Sequence, residues 1–306
     1  MRLRGEARRV PGLAHALHIV DVFAERPYCG NQLAVVLDAG DISSDEMQQV
    51  ALEMNFSETT FVTSEEESDG GHRVRIFTPT LELPFAGHPT LGTAWVISRH
   101  VSRKTPAVVR LNLRVGQVPV TFEEDSQGTE LLWLSAPAMQ LGATHPAELV
   151  APALGLAPGD IDSRAPIQQV SAGISVTIVP LCGLDALRRC APDARRMASL
   201  EREGILPFVY LFCQEPRSAE NDLCARFFFD ANGIREDPAT GSATACLGDY
   251  LLEHEYFPGR ELFLRIEQGH EIGRSSLLLL RASKSDSGSV VQVGGRVIPV
   301  VSGQLL

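Results

Sequence analysis

The stretch "REDPATGSATACLGDYL", residues 235–251, places two acidic residues, a proline and a Gly-Ser pair directly before an apolar run. The apolar residues recur at the spacing of one helix face: Ala243, Leu247, Tyr250 and Leu251. This spacing predicts a helix with one buried face. Because aspartate caps helices and proline suits their first turn, we predict that Asp237 is the N-cap and Pro238 the first helical residue.

A second copy of this pattern lies nearly half a chain upstream. "HPTLGTA" (88–94) and "DPATGSA" (237–243) share Pro, Gly and Ala at the same spacing without a gap. "RIF" (75–77) precedes the first copy, and "RFF" (226–228) precedes the second. Matching strands before the motif and matching helices after it indicate an internal duplication.

In this alignment His88 is the counterpart of Asp237, and Gly92 is the counterpart of Gly241. A glycine near a helix start costs about 1 kcal/mol relative to alanine, but it leaves the backbone N–H groups open to close approach. A helix N-terminus favours a carboxylate or an oxyanion. We therefore predict that two helix starts face each other across a cleft that takes a small anionic substrate.

Glu58 is the second candidate, in "NFSETTFV" (55–62). On a strand it would share a face with Phe56 and Val62, which is unusual for glutamate. One interpretation is a partly buried glutamate paired with an arginine or a backbone N–H. The other is a base whose pKa is raised by desolvation, so that Glu58 moves a proton and Asp237 orients or donates.

Composition excludes some function classes. The chain has 306 residues and a formal net charge of −11, which argues against nucleic acid as the main partner. We predict no membrane span and a cytoplasmic protein, because no long apolar segment follows the N-terminal arginines. The six cysteines are scattered, the histidines lack metal-ligand spacing, and there is no P-loop or GxGxxG motif. We expect neither a metal nor a cofactor.

Short strands dominate the pattern, with a few helices between them, which predicts an α+β protein and not a doubly wound sheet. An acidic, polar segment at 123–130 marks a boundary near the middle of the chain. We predict a loosely packed extension at 1–14, a first half-domain at 15–127 and a second at 128–290.

Five blocks carry a resemblance to a known family: "VDVFAERPYCGNQLAVVLDAG", "MNFSETTFV", "RIFTPTLELPFAGHPTLGTA", "REDPATGSA" and "EQGHEIGR". From about residue 17 to the C-terminus the chain resembles the PhzF-like family, named for an isomerase of phenazine biosynthesis. The resemblance implies a diaminopimelate-epimerase-like fold of two pseudo-symmetric halves. Each half is a β-barrel-like curled sheet around a central helix, and the C-terminal strand, about 291–306, crosses back to the first half.

The resemblance also implies roles for individual residues. Glu58 matches the acid/base glutamate, and three other residues match the lining of the site: His88, Asp237 and Ser242. Gly87 and Gly241 match the backbone around which the substrate packs. What this implies is a homodimeric, cofactor-independent isomerase or epimerase that moves a proton between carbons of a small carboxylate-bearing substrate.

Two alternatives remain open at this point. One is a non-catalytic member of the same fold that binds a small acid or has a regulatory role. The other, a racemase with two catalytic thiols, is disfavoured because neither motif copy places a cysteine at its helix start. Departures at Gly30-Asn31-Gln32 and Gly273-Arg274-Ser275-Ser276, where relatives have "GNP" and "GRPS", leave the substrate's identity open.

Overall fold

A computed structural model describes residues 14–102, 106–137, 139–171, 175–230, 234–286 and 288–306. Except for Ala14, the predicted N-terminal extension lies outside the described residues.

The first half of the chain alternates strands with two longer helices. Its strands are β1 (His15–Val22), β2 (Asn31–Val36), β3 (Glu58–Glu66), β4 (Gly71–Phe77), β5 (Glu82–Leu83), β6 (Val108–Leu113), β7 (Gly116–Glu124) and β8 (Glu130–Ser135). Its helices are α1 (Ser44–Met54) and α2 (Gly87–His100). Ser43 caps α1 by accepting a hydrogen bond from the backbone N–H of Glu46.

The second half repeats this order. Its strands are β9 (Gln140–His145), β10 (Ile167–Ser171), β11 (Ser175–Leu181), β12 (Val209–Cys213), β13 (Leu223–Asp230), β14 (Ile234–Asp237), β15 (Glu261–Gln268), β16 (Ser276–Ser285), β17 (Gly288–Gly295) and β18 (Val297–Leu305). Its helices are α3 (Ala147–Val150), α4 (Leu184–Arg189), α5 (Ala194–Arg202) and α6 (Gly241–Glu253).

Strand pairing makes the two halves equivalent. The first set runs β18-β1-β2-β3-β4-β6-β7-β8, and the second runs β9-β10-β11-β12-β13-β15-β16-β17. The parallel pairs fall at the same places, β2–β3 and β4–β6 in one set and β11–β12 and β13–β15 in the other. An antiparallel pairing of β8 with β17 joins the sets. The limits 15–127 and 128–290 for the half-domains stay predictions.

The last strand returns to the beginning of the chain. β18 pairs antiparallel with β1 along its length, from His15 opposite Leu305 to Val22 opposite Val297. This pairing joins the ends of the described chain and leaves the intervening strands to curl around the two central helices.

Helices α2 and α6 lie at the centres of the two strand sets. α2 contacts β1, β2, β3, β6, β7 and β8, and α6 contacts β10, β11, β15, β16 and β17. Their apolar faces share one buried cluster, which includes Leu91 and Ile97 of α2 and Leu247 and Leu251 of α6. Burial on nearly all sides stabilises these helices more than their intrinsic propensity does.

The predicted helix starts were wrong in register. α2 begins at Gly87 with Ala86 as the N-cap, so His88 is its second residue. α6 begins at Gly241 with Thr240 as the N-cap, and Asp237 is the last residue of β14. The reason is that the Asp237 carboxylate accepts side-chain hydrogen bonds, including one from Thr240, and caps no helical N–H.

Candidate active site

The N-terminal ends of α2 and α6 meet at two glycines. A Cβ atom on Gly87 would lie 3.3 Å from the backbone nitrogen of Ser242. A Cβ atom on Gly241 would lie 3.2 Å from Cζ of Phe23 and 3.9 Å from Cα of Gly87. Glycine lets the two backbones approach this closely, and the positive ends of both helix dipoles converge there.

Gly92, which the sequence alignment placed at a helix tip, has another role. It lies inside α2, where a Cβ atom would come within 2.6 Å of Leu33 Cδ2 and 2.8 Å of Val22 Cγ2. The glycine at this position therefore lets α2 pack closely on β1 and β2. The structural counterpart of Gly241 is Gly87.

Glu58 and His88 face each other in the first half. Glu58 is the first residue of β3, and its Oε2 lies 3.3 Å from Nε2 of His88. Both atoms are buried, and neither makes a hydrogen bond with a described residue. Folded proteins seldom leave buried polar atoms unsatisfied, because this costs free energy. These two atoms therefore have hydrogen-bonding capacity that no other described residue uses.

The Asp237 carboxylate has the opposite environment. Its Oδ1 accepts hydrogen bonds from Asn31 Nδ2 at 2.9 Å and from Ser57 Oγ at 3.1 Å. Its Oδ2 accepts one from Thr240 Oγ1 at 2.6 Å. Gln268 Nε2 donates to the backbone carbonyl of Asp237 at 2.9 Å. Asp237 is thus fixed in position by donors from both halves.

Asn31 connects the two sets of polar groups. The same Nδ2 that donates to Asp237 lies 3.3 Å from Nδ1 of His88 and donates to the carbonyl of Ala239 at 2.9 Å. The segment before Asn31 is held by Arg274, which donates to the carbonyls of Cys29 and Gly30. The amide of one asparagine therefore spans the cleft between the histidine and the aspartate.

Burial shifts the protonation of all three titratable groups. It raises the pKa of Glu58 to about 8, and the negative charge of Asp237 adds to that rise. Burial also lowers the pKa of His88 to about 3, although a hydrogen bond with the backbone of Gln32 opposes this fall. It raises the pKa of Asp237 to about 6, while hydrogen bonds from Thr240, Ser57 and Asn31 oppose the rise.

At pH 7, therefore, Glu58 mostly holds a proton, His88 is neutral and Asp237 is mostly ionised. Two neighbouring carboxyl groups with separated pKa values are typical of a site in which one moves a proton and the other stays charged.

An apolar recess adjoins the meeting point of the helices. Gly87, Gly241 and Ser242 form part of its wall. The remaining wall comes from apolar residues of both halves, including Phe23, Phe85, Leu91, Leu134 and Val293. A ligand bound at the helix starts would therefore contact both backbone N–H groups and an apolar surface.

The structure brings together the residues that the sequence singled out. Glu58 and His88 are in contact, Asp237 is linked to His88 through Asn31, and Gly87, Gly241 and Ser242 form the helix junction. The sequence reasoning missed Asn31, Ser57, Thr240 and Gln268 as members of this network. Two of them carried a signal, since Ser57 precedes Glu58 and Asn31 lies in a segment noted only as a departure.

Residues 20–303 match the model of the phenazine biosynthesis-like protein family. The chain belongs to this family. It is 36% identical over 284 residues to a trans-2,3-dihydro-3-hydroxyanthranilate isomerase of Pseudomonas aeruginosa, covering 92% of this chain and 95% of that one. It is also 36% identical over 292 residues to an uncharacterized isomerase of Pasteurella multocida, covering 95% and 94%. The family resemblance is confirmed, and the protein is an isomerase.

Solved structures agree with this assignment. A PhzF-family protein of Bacillus anthracis superposes with a TM-score of 0.86 at 28% identity, covering 96% of this chain and 100% of that one. A hydroxyproline epimerase from Agrobacterium vitis shares the fold, with a TM-score of 0.59 at 12% identity over 95% and 92% of the two chains. The predicted α+β, diaminopimelate-epimerase-like fold is confirmed.

Among the described residues, no helix has the length and apolarity needed to cross a membrane. Nor do three or more histidine, cysteine, aspartate or glutamate side chains within them gather closely enough to hold a metal ion.

Proposed function

We propose that this isomerase moves a proton between two carbons of a small carboxylate-bearing substrate without a cofactor, and that Glu58 carries the proton. The observation that supports this most directly is the buried contact of Glu58 Oε2 with His88 Nε2, in which neither atom makes a hydrogen bond with a described residue. The pKa of Glu58 is about 8, which is close to neutral pH. An acid/base group is most effective when its pKa lies near the pH at which the enzyme works.

The ionised form of Glu58 takes a proton from an activated carbon of the substrate. The electron pair of the broken C–H bond delocalises into an enol- or dienol-like system, and the proton of Glu58 is then returned to a second carbon. Asp237 keeps its charge and its hydrogen bonds throughout, since three neutral donors hold its carboxylate. Its role in this proposal is to keep the pKa of Glu58 high and to orient the site.

The substrate carboxylate binds at the starts of α2 and α6. The two helix dipoles and the N–H groups around Gly87, Gly241 and Ser242 favour negative charge there. Neutral His88 donates a hydrogen bond as negative charge develops on the substrate. Each well-placed donor of this kind stabilises the charge by about 3 kcal/mol. The apolar recess contacts the carbon skeleton of the substrate.

The relative from Pseudomonas aeruginosa acts, by its name, on trans-2,3-dihydro-3-hydroxyanthranilate. We propose this compound as the first probe, beside a panel of small unsaturated and hydroxylated carboxylic acids. The partner is then a small anionic metabolite, with neither nucleic acid nor membrane involved. We also propose that the protein is a cytoplasmic homodimer. Sedimentation of the purified protein tests its oligomeric state.

Incubation of the purified protein with these acids in D₂O tests the chemistry. We expect deuterium at carbon in one or more acids, seen by NMR, and a loss of about 10²–10⁴-fold in exchange rate in Glu58→Gln. Glu66→Gln, an exposed position on the same strand, serves as the matched control and should retain the native rate. Native-like exchange in Glu58→Gln would falsify the role of Glu58.

A further inference from the structure

Each half carries a bidentate arginine–glutamate pair just before its central helix. In the first half Arg75 donates to Glu82 through Nε and Nη2, both at 2.8 Å. In the second half Arg226 donates to Glu236 through the same two nitrogens, at 3.0 and 2.7 Å. Both pairs join a long strand, β4 or β13, to the short strand beside it.

The surroundings of the two arginines also match. The guanidinium of Arg75 lies 5.0 Å from the ring centre of Phe77, and that of Arg226 lies 4.7 Å from the ring centre of Phe228. In both cases Nη1 reaches an outer helix. Arg75 donates to Ser44 of α1, and Arg226 donates to the carbonyl of Leu187 in α4 and to that of Cys190 just after it.

The pairs differ in what lies next to them. Glu236 directly precedes Asp237 on β14, whereas Glu82 lies on β5, several residues before His88. The Arg226–Glu236 pair is also more buried, with side chains 8% and 7% exposed, against 26% and 17% for Arg75 and Glu82. An unbalanced charge is felt more strongly where water is excluded.

We propose that Arg226 is a positioning residue for Asp237. It fixes β14 immediately before the helix junction, and it offsets part of the negative charge that Glu236 places near the Asp237 carboxylate. This inference rests on the proposed role of Asp237 in the site.

The charged groups around this pair are few. Glu271 Oε2 lies 3.9 Å from Arg226 Nε, and Glu271 itself pairs with Arg217. The Cys190 thiol, whose pKa is raised by burial, lies near the pair. Asp237 has two acidic neighbours, Glu58, which is mostly protonated at pH 7, and Glu236, while its hydrogen-bond donors Asn31, Ser57 and Thr240 are all neutral. The charge of Glu236 therefore adds to the rise in the pKa of Asp237.

Titration of the Asp237 carboxyl tests this without a substrate. The protein carries ¹³C-carboxyl aspartate, and the Asp237 signal is assigned by its loss in Asp237→Asn. In Arg226→Met we expect the Asp237 signal to titrate at higher pH, by about 1 unit, because Glu236 becomes unbalanced. In Glu236→Gln we expect it to titrate at lower pH, because the negative neighbour is gone and Arg226 remains.

Arg75→Met is the matched control, since it breaks the equivalent pair in the other half. It should lower the melting temperature but leave the Asp237 titration unmoved. If Arg226→Met or Glu236→Gln lowers the melting temperature while Asp237 titrates as in the native protein, the pair is merely structural and the inference is overturned. Should Arg226→Met fail to fold, Glu236→Gln decides alone.

The same variants separate this inference from the proposed function. If the Asp237 titration moves as expected but the pH profile of deuterium exchange does not, the positioning role stands and the proposed role of Asp237 fails. If both move together, both are supported.

Discussion

The two halves share one scaffold but contribute different chemistry. Each has the same strand order, a central helix that starts with glycine and a polar residue, and a bidentate arginine–glutamate pair. The first half presents Glu58 and His88, each with a buried atom that makes no hydrogen bond within the described part of the chain. The second presents Asp237, whose carboxylate accepts hydrogen bonds at both oxygens.

This difference shows how a duplicated fold supports an asymmetric reaction. Symmetry brings the positive ends of two helix dipoles to one point, where negative charge is favoured. The proton, however, must be held by one group near neutral pH, and burial with few partners does this for Glu58. The hydrogen-bonded carboxylate stays charged because its donors favour the ionised form.

After the loss of Glu58 itself, the largest change should come from removing the charge of Asp237 in the second half. In Asp237→Asn we expect deuterium exchange to fall roughly tenfold to hundredfold, since the donors that fix this residue lose an acceptor and the site shifts. The pKa of Glu58 should also fall, because the negative charge that raises it is gone. The rising limb of the pH–rate profile, which follows ionisation of Glu58, therefore moves to lower pH.

Measurement of exchange rates from pH 5 to 9 checks this prediction. Thr240→Val, which removes one donor and keeps the charge, is the comparison. A limb that stays in place, or moves to higher pH, in Asp237→Asn would contradict the proposed coupling of the two carboxyl groups.

A smaller effect is expected at the junction between the halves. In Gly87→Ala and Gly241→Ala the new Cβ atoms would press against Ser242 N at 3.3 Å and Phe23 Cζ at 3.2 Å. Separation of the helix starts should lower the exchange rate about tenfold and lower the free energy of unfolding by about 1–3 kcal/mol.

Gly159→Ala is a suitable control because no atom lies within 4 Å of the site of its Cβ. Denaturant unfolding and exchange assays on the three variants give both quantities. Equal losses of rate in Gly159→Ala and the junction variants would show that the exchange rate does not depend on the close approach of the helices.

The smallest effect concerns two outer helices, α1 in the first half and α5 in the second, since each has a side-chain N-cap. Ser43 caps α1 by accepting from the N–H of Glu46, and Asp193 caps α5 by accepting from the N–H of Arg196. Ser43→Ala and Asp193→Ala should each lower the free energy of unfolding by about 1 kcal/mol. Urea unfolding checks this, and the exchange rate should not change. A loss of exchange in only one of them would show that its helix acts on the site.

Much of the scaffold could be predicted from the sequence. The pattern of short strands and the two glycine motifs predicted an α+β protein with two equivalent helices, and the structure has both. The starts of these helices were misplaced because "HPTLGTA" and "DPATGSA" align as sequence but not as structure. His88 follows the glycine that begins its helix, as Ser242 does, whereas Asp237 ends a strand.

The sequence by itself determined the fold class and the duplication, and it singled out Glu58, His88 and Asp237 as candidate site residues. It could do so because periodicity and local motifs depend on residues that are neighbours in the chain. Only the tertiary structure decided which glycines touch, that Asn31 spans the cleft and that Arg226 pairs with Glu236. Those contacts join residues far apart in the chain. The pKa values follow from burial, which depends on the whole surrounding structure and not on any short segment.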